Sequence, residues 1–455
     1  MTAALTRLAS GAPARCFALV GAGAGDVAPW LRLDSGITVV DSPRAADVLL
    51  VLGRLDREML PAAAAAHDSM PPPRGVLVWS PDGRTSEGWP FEDAIVMRDP
   101  SEIVPACRSL RDELLRRRRA SSPDILPDLD PAPWRGVGPF GQGGTGMTGG
   151  VPYGRPLAGR ADDRDGLKLD QILVRVGPFL PPFPPGLALD VKLQGDVIQE
   201  ATIPGADADD AVSPDDDGPS AGLSQDVHAA RPATAEESPF TAALTRPVPI
   251  AELELSRARH HLAWLAEALR VSGLEAYGLR VLKLASGLNI ESAESVDALE
   301  RWLRRNLSLR WGTSGVGTIT RARAEGLPGG PVARASGADS DARNLDPAYR
   351  RLGFEPVVRD EGDALARWRL RVAEARQSML LAKLSGTSES TPSGVTEGLC
   401  GPLVVGASPS AGLVALLPEL LVGMEWGDAV TTVVSLDIDV TEAAGREVAA
   451  GEGAS

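Results

Sequence analysis

Residues 327–384, LPGGPVARASGADSDARNLDPAYRRLGFEPVVRDEGDALARWRLRVAEARQSMLLAKL, constrain the chain more than any other stretch, because two kinds of chemistry meet in it. The first half sets Gly329, Gly330 and Gly337 between prolines, with Arg334, Asp341 and Arg343 among them. Glycines let a backbone approach its neighbours closely, and charged groups can pair across such a stretch, so this half reads as a loop. From Gly362 the pattern changes. Leu365, Trp368, Val372, Ala375, Met379 and Ala382 recur at intervals of three and four, the stripe of one long helix. Arg367, Arg369, Arg371 and Arg376 lie off that stripe.

Upstream, CFALV (16–20), ITVV (37–40), DVLLVLG (47–53), GVLVW (75–79) and AIVM (94–97) are continuous apolar runs with little alternation. Such runs suit parallel strands covered on both faces. The Ala-rich 56–69 and the stretch 101–119 supply helices for a flavodoxin-like parallel α/β domain over 1–119. A Pro/Gly-rich connector follows over 120–165, then a β-hairpin region over 166–204 around Gln194-Gly195-Asp196. Six Asp fall between 207 and 217, in a composition that cannot bury a core, so 205–245 reads as an acidic disordered linker. A helical domain occupies 246–395, opened by the stripe Leu255, Ala258, Leu262, Leu265 and Leu269. In the C-terminal segment, 396–455, residues 411–423 read as a helix and 429–440 as a buried strand.

A net charge of −15 argues against a general nucleic-acid binder. Cys16, Cys107 and Cys400 lie far apart with no C-x-x-C, which excludes a disulfide framework and fits a reducing cytoplasm. No uninterrupted apolar run is long enough to span a bilayer, and the N-terminus does not read as a signal peptide. GQGGTGMTGG (141–150) lacks the Lys-Ser/Thr of a phosphate loop and reads first as a packed interdomain loop. The four Arg at 116–119 face either acidic lipid heads or solvent at a helix end.

Within 327–384, GPVARASG (330–337), Asp341 with Arg343, Pro347 with Tyr349, Phe354, Gly362-Asp363 and Arg376-Gln377-Ser378 keep one order. In them the stretch resembles the large subunit shared by complex I, as its quinone-site subunit, and membrane-bound [NiFe]-hydrogenases. ELELSRARHHLAWLA (252–266) resembles that family's Glu-x-x-Arg-x-x-x-His-Leu helix and places His261 on its histidine. Residues 42–79 resemble the complex I subunit that carries the terminal iron–sulfur cluster, through the Ala-Asp-apolar strand, Met59-Leu60-Pro61 and Met70-Pro71.

The resemblance implies an α/β small-subunit-like domain fused to an α+β [NiFe]-hydrogenase large-subunit-like domain dominated by helices. It also implies departures. Ser80-Pro81-Asp82-Gly83 stands where the family places a cluster cysteine, and Cys107 stands near the place of its last ligand. Leu180 takes the place of the family's quinone histidine, and Val271 that of an Asp near the quinone. A [4Fe–4S] cluster normally needs four thiolates. The expectation is therefore a chain with no catalytic residue, metal or cofactor, in which Arg334, Asp341, Arg343 and His261 are interface residues. For His261 two readings stand open, a ligand or proton relay and a pinned core histidine. The expected role is a peripheral scaffold on the inner, cytoplasmic face of the cell membrane, docked on integral-membrane subunits of a complex I-like or hydrogenase-like assembly. The alternative is an active NADH-quinone oxidoreductase subunit whose redox centres come from its partners.

Overall fold

The computed structural model describes residues 11–24, 27–128, 158–162, 166–204, 238–386, 389–391, 394, 396–403 and 409–440. Most of the expected linker, residues 205–237, and the glycine-rich 141–150 lie outside the described residues.

Strands β1 (Ala14–Val20), β2 (Ile37–Val39), β3 (Val48–Leu52), β4 (Gly75–Trp79) and β5 (Ile95–Met97) form one sheet in the order β2-β1-β3-β4-β5. Every pairing is parallel, and this is the flavodoxin-like strand order. The central strands β3 and β4 are buried at every position, as continuous apolar runs require. Helix α1 (Leu60–Asp68) shares one core with Leu49 and Val51 of β3 through Leu60 and Ala63. Its Pro61 sits in the first turn, where no amide hydrogen is needed. Helix α2 (Ile103–Leu115) buries Ile103, Cys107, Leu110 and Leu114 in the core that also holds Cys16.

The expected hairpin is part of a larger antiparallel sheet. Strands β6 (Arg160–Asp162), β7 (Lys168–Val176), β8 (Leu189–Gln194) and β9 (Val197–Thr202) pair in sequence order. Leu189, Val191 and Ile198 pack against Leu417, Leu421 and Val433 from the C-terminal helices.

After the one-turn helix α3 (Pro239–Ala242), the helical region runs through α4 (Ile250–Val271), α5 (Glu275–Ser286), α6 (Ala293–Arg305), α7 (Leu307–Thr313) and α8 (Arg321–Ala324). It continues with α9 (Gly330–Arg334), α10 (Pro347–Arg351), α11 (Ala364–Ser385), α12 (Pro409–Leu421) and α13 (Trp426–Leu436), with a two-stranded ribbon of β10 (Thr396–Glu397) and β11 (Pro402–Leu403). Helices α4 and α11 lie against each other at the centre. Trp264 and Trp368 meet edge to face there, their rings 5.9 Å apart.

Two local expectations need correction. The glycine-rich first half of 327–384 is not all loop, since it forms α9, a 3-10 turn over Ala342–Leu345 and α10. Residues 429–436 are helical, not a strand. Their Thr-Thr-Val-Val run favours a strand locally, but Ala429, Val433 and Leu436 recur at helical spacing and are buried, so packing overrides propensity. The arginines off the α11 stripe divide: Arg376 is exposed, whereas Arg367 and Arg371 are buried.

Asp363 fixes where α11 begins. Its carboxylate accepts from the backbone N–H groups of Ala366 and Gly315, both at 2.7 Å. Removing this cap by Asp363→Ala is expected to cost about 1–2 kcal/mol in chemical denaturation. A loss of only a few tenths would show that the helix start is held by packing alone.

Candidate functional site

The second face of α11 carries Arg367, Arg371, Glu374 and Ser378, spaced four, three and four residues apart and all buried. On α4, Glu254, Arg257 and His261 share one face at spacings of three and four, also buried. The two polar stripes meet inside the helical region and form one connected ionic network.

Arg334 is its hub. It reaches Glu374 at 2.8 Å, Glu397 at 2.7 Å and Asp341 at 2.9 Å, with every partner fully buried. Burial alone would lower the pKa of this guanidinium, but Glu374, Asp341 and Glu397 hold it above its ordinary value. Arg343 pairs with Asp341 at 2.8 Å and with Glu254 at 3.3 Å, and its guanidinium lies 4.3 Å from the centre of the Phe354 ring. Glu254 also accepts from the Tyr349 hydroxyl at 2.7 Å and the Ser378 hydroxyl at 2.6 Å. Arg257 donates to the carbonyls of Gly398 and Glu397, which ties α4 to the β10–β11 ribbon.

His261 lies 3.2 Å from Glu374, within ion-pair distance but outside hydrogen-bond geometry, and its other ring nitrogen is 3.5 Å from Arg371. Burial pushes its pKa down to about 4, against the opposing pull of Glu374. It is a neutral, enclosed imidazole at pH 7. Arg371 continues the chain of contacts to Asp437 at 2.9 Å, and Asp437 accepts from His260 at 2.8 Å. Asp437 ends α13 in the left-handed region, with φ 55°. For a non-glycine residue that is a strained conformation, and here its carboxylate is held by Arg371 and His260.

Glu254, Asp341, Glu374, Glu397 and Asp437 thus face the guanidinium groups of Arg257, Arg334, Arg343 and Arg371, leaving one carboxylate in excess. Burial and the neighbouring Asp341 raise the pKa of Glu397, so this is the group that takes up a proton most readily.

Glycines permit this packing. A Cβ on Gly330 would stand 2.0 Å from the Cys400 carbonyl oxygen, and Gly330 has φ +89°. A Cβ on Gly362 would stand 2.1 Å from the carbonyl oxygen of Ile319. Of Gly329, Gly330 and Gly337, where the sequence suggested close approach, Gly330 meets a neighbouring backbone this closely, and Gly362 is a further such position.

The structure therefore brings Arg334, Asp341, Arg343 and His261 together, in the interior of the helical region. Sequence reasoning missed Glu374, Glu397, Asp437 and Arg371. For Glu254 and Arg257 the signal was present, since both are motif positions of the helix that contains His261.

A cavity of about 790 Å³ opens beside the network, between the parallel sheet and the helices. Ala18 and Trp30 line it from the sheet side, Leu180 from the proline-rich turn, and Trp264 with His260 from α4. Asp437 places the end of the ionic network on its wall. Arg270 ties the two regions at its edge through Asp41, at 2.6 Å.

The thiols do not fit an iron–sulfur cluster. Cys16 and Cys107 are buried neighbours in the core under the parallel sheet, and the Cys107 thiol together with burial pushes the Cys16 thiol well up. Ser80 spends its hydroxyl on Asp82, at 2.6 Å. Cys400 donates to the carbonyl of Asp437 at 3.1 Å. Among the described residues, no three His, Cys, Asp or Glu are grouped as metal ligands, and none of the described helices is long and apolar enough to cross a membrane.

Residues 279–390 match the family model of the 49 kDa subunit of respiratory-chain NADH dehydrogenase. The chain is 47% identical over 83 residues to a component of the NADH-quinone oxidoreductase of Rhizobium etli, covering 18% of this chain and 20% of the relative. It is 36% identical over 110 residues to a component of the NAD(P)H-quinone oxidoreductase of Prochlorococcus marinus, covering 24% and 27%. The similarity thus spans about a fifth to a quarter of the length of these curated relatives. A chain of the archaeal membrane-bound sulfane sulfur reductase, a respiratory membrane complex, aligns at 18% identity and a TM-score of 0.42, over 60% of this chain and 98% of that one; the likeness is too loose to carry weight. What the comparisons establish is a segment, 279–390, similar to the 49 kDa component of complex I-type oxidoreductases.

Proposed function

We propose that this chain is a cofactor-free peripheral subunit of a complex I-like or membrane-hydrogenase-like assembly. In this reading a small-subunit-like α/β region is fused to a large-subunit-like region and scaffolds integral-membrane subunits at the cytoplasmic face of the membrane. The observation that carries it is the ionic network. The charged motif positions of the similar segment bond to one another, and with only three cysteines in the chain no four-thiolate centre can be built beside them. Arg334, Asp341, Arg343 and His261 then serve a docking surface from beneath, by fixing α9, α10 and the β10–β11 ribbon against α4 and α11. A scaffold needs shaped surfaces, not ligands.

The test is purification of the tagged chain from its own cell membranes in mild detergent. Integral-membrane subunits are expected to elute with it at a fixed ratio. Recovery of the chain alone from the soluble fraction would refute the reading.

The cavity favours a second reading, an electron-transferring subunit with a remodelled quinone site and redox centres supplied by partners. Its walls are largely apolar, as a quinone ring requires, while Leu180 offers the head group no hydrogen bond, so any quinone would be held differently from the family's. Saturable quenching of tryptophan emission by a short-chain quinone, abolished by Leu180→Trp, is the result that would favour this reading over the first.

A further inference from the structure

We propose that the face formed by the end of α6 and by α7 binds the anionic headgroups of a lipid bilayer directly. Residues 301–323 hold Arg301, Arg304, Arg305, Arg310, Arg321 and Arg323 and no Asp or Glu, in a chain whose net charge is −15. All six arginines are exposed. Arg304, Arg321 and Arg323 pair with Glu300, Glu325 and Glu419. Among the described residues, no carboxylate is within ion-pair distance of Arg301, Arg305 or Arg310.

Apolar groups stand beside these cations. Leu307 and Trp311 are one turn apart on α7, 56% and 79% exposed, and Arg310 shares their face. Leu309 and Thr313 are buried on the opposite side, and Asn306 caps the helix by accepting from the Leu309 N–H at 3.1 Å. The outward direction of Leu307 and Trp311 is therefore set by the fold.

An indole and a leucine among guanidinium groups match the bilayer interface, where tryptophan sits at headgroup depth and arginine meets phosphate. The patch is one face of a seven-residue helix and the helix end before it. A chain with a net charge of −15 is repelled as a whole from an anionic surface, so a basic face would also orient it. The inference holds for the chain by itself, whatever occupies the cavity.

The experiment is flotation of the full chain with phosphatidylcholine vesicles and with vesicles containing phosphatidylglycerol. Binding is expected only to the second, and it should weaken as salt rises. The triple variant R301Q/R305Q/R310Q is expected to bind tenfold or more weakly, at roughly one step of surface attraction per arginine. Trp311→Ala is expected to bind more weakly with its salt dependence intact. Both changes lie on the surface, and an unchanged melting profile checks the fold. Equal binding to both vesicle types, or undiminished binding by the triple variant, would overturn the proposal. Binding to neither would also overturn it and turn the search to an acidic protein partner.

Discussion

Arg334→Ala is expected to destabilise the chain by about 3–5 kcal/mol, because it strands Glu374 and Glu397 inside the protein without their guanidinium partner and leaves Asp341 with Arg343 alone. The guanidinium cannot be replaced by a point charge. It forks between carboxylates carried by three different elements, so Arg334→Lys is expected to recover only part of the loss. The damage should fall where the partners are. Glu397 lies in β10, and its other carboxylate oxygen accepts from the Ala342 N–H at 2.9 Å. The region around 396–403 is therefore expected to become sensitive to protease before the parallel sheet does. Thermal and denaturant unfolding with limited proteolysis measure both effects. A loss of no more than about 1 kcal/mol, the value of a solvated pair, would contradict a buried hub.

Acid should unfold the protein earlier than its carboxylates alone would dictate. His261 has its pKa lowered to about 4 in the folded chain, chiefly by burial, against about 6.5 when unfolded. The unfolded state binds more protons between these values. Stability from this group is therefore fully present above about pH 6.5 and is lost as pH falls toward 4, roughly 3 kcal/mol in all. Glu254, Asp341, Glu374 and Asp437 are held below their ordinary values and add losses of the same sign at lower pH. Glu397 has the opposite sign: its raised pKa means that its contribution is present in acid and lost as pH rises through the folded value. Melting temperatures across the range from about pH 7 to pH 5 should therefore fall, and His261→Gln should flatten that fall. An equal decline in the variant would place the acid-sensitive group elsewhere.

The parallel sheet was legible because its signals are local. Five apolar runs bounded by turn residues leave few alternatives, and all five are strands. The network was only half legible. Spacing put Glu254, Arg257 and His261 on one face of α4, and the segment 327–384 offered Arg334, Asp341 and Arg343. Nothing in the sequence says that Arg371 and Glu374 turn inward, since charges off an apolar stripe normally face water. Only partners from distant elements make their burial tolerable, such as Asp437 for Arg371. Helix α13 was misread for a related reason: its β-branched residues favour a strand locally, and the helical period of its buried positions shows only against the neighbours it packs on.

This chain is expected to work without a redox centre of its own, and its metal content decides the matter. The protein, purified without oxygen from its own cell, should hold iron and nickel far below stoichiometric amounts and show no visible charge-transfer absorption. Iron near the roughly four atoms of a cubane cluster, together with a visible absorption band, would contradict the account.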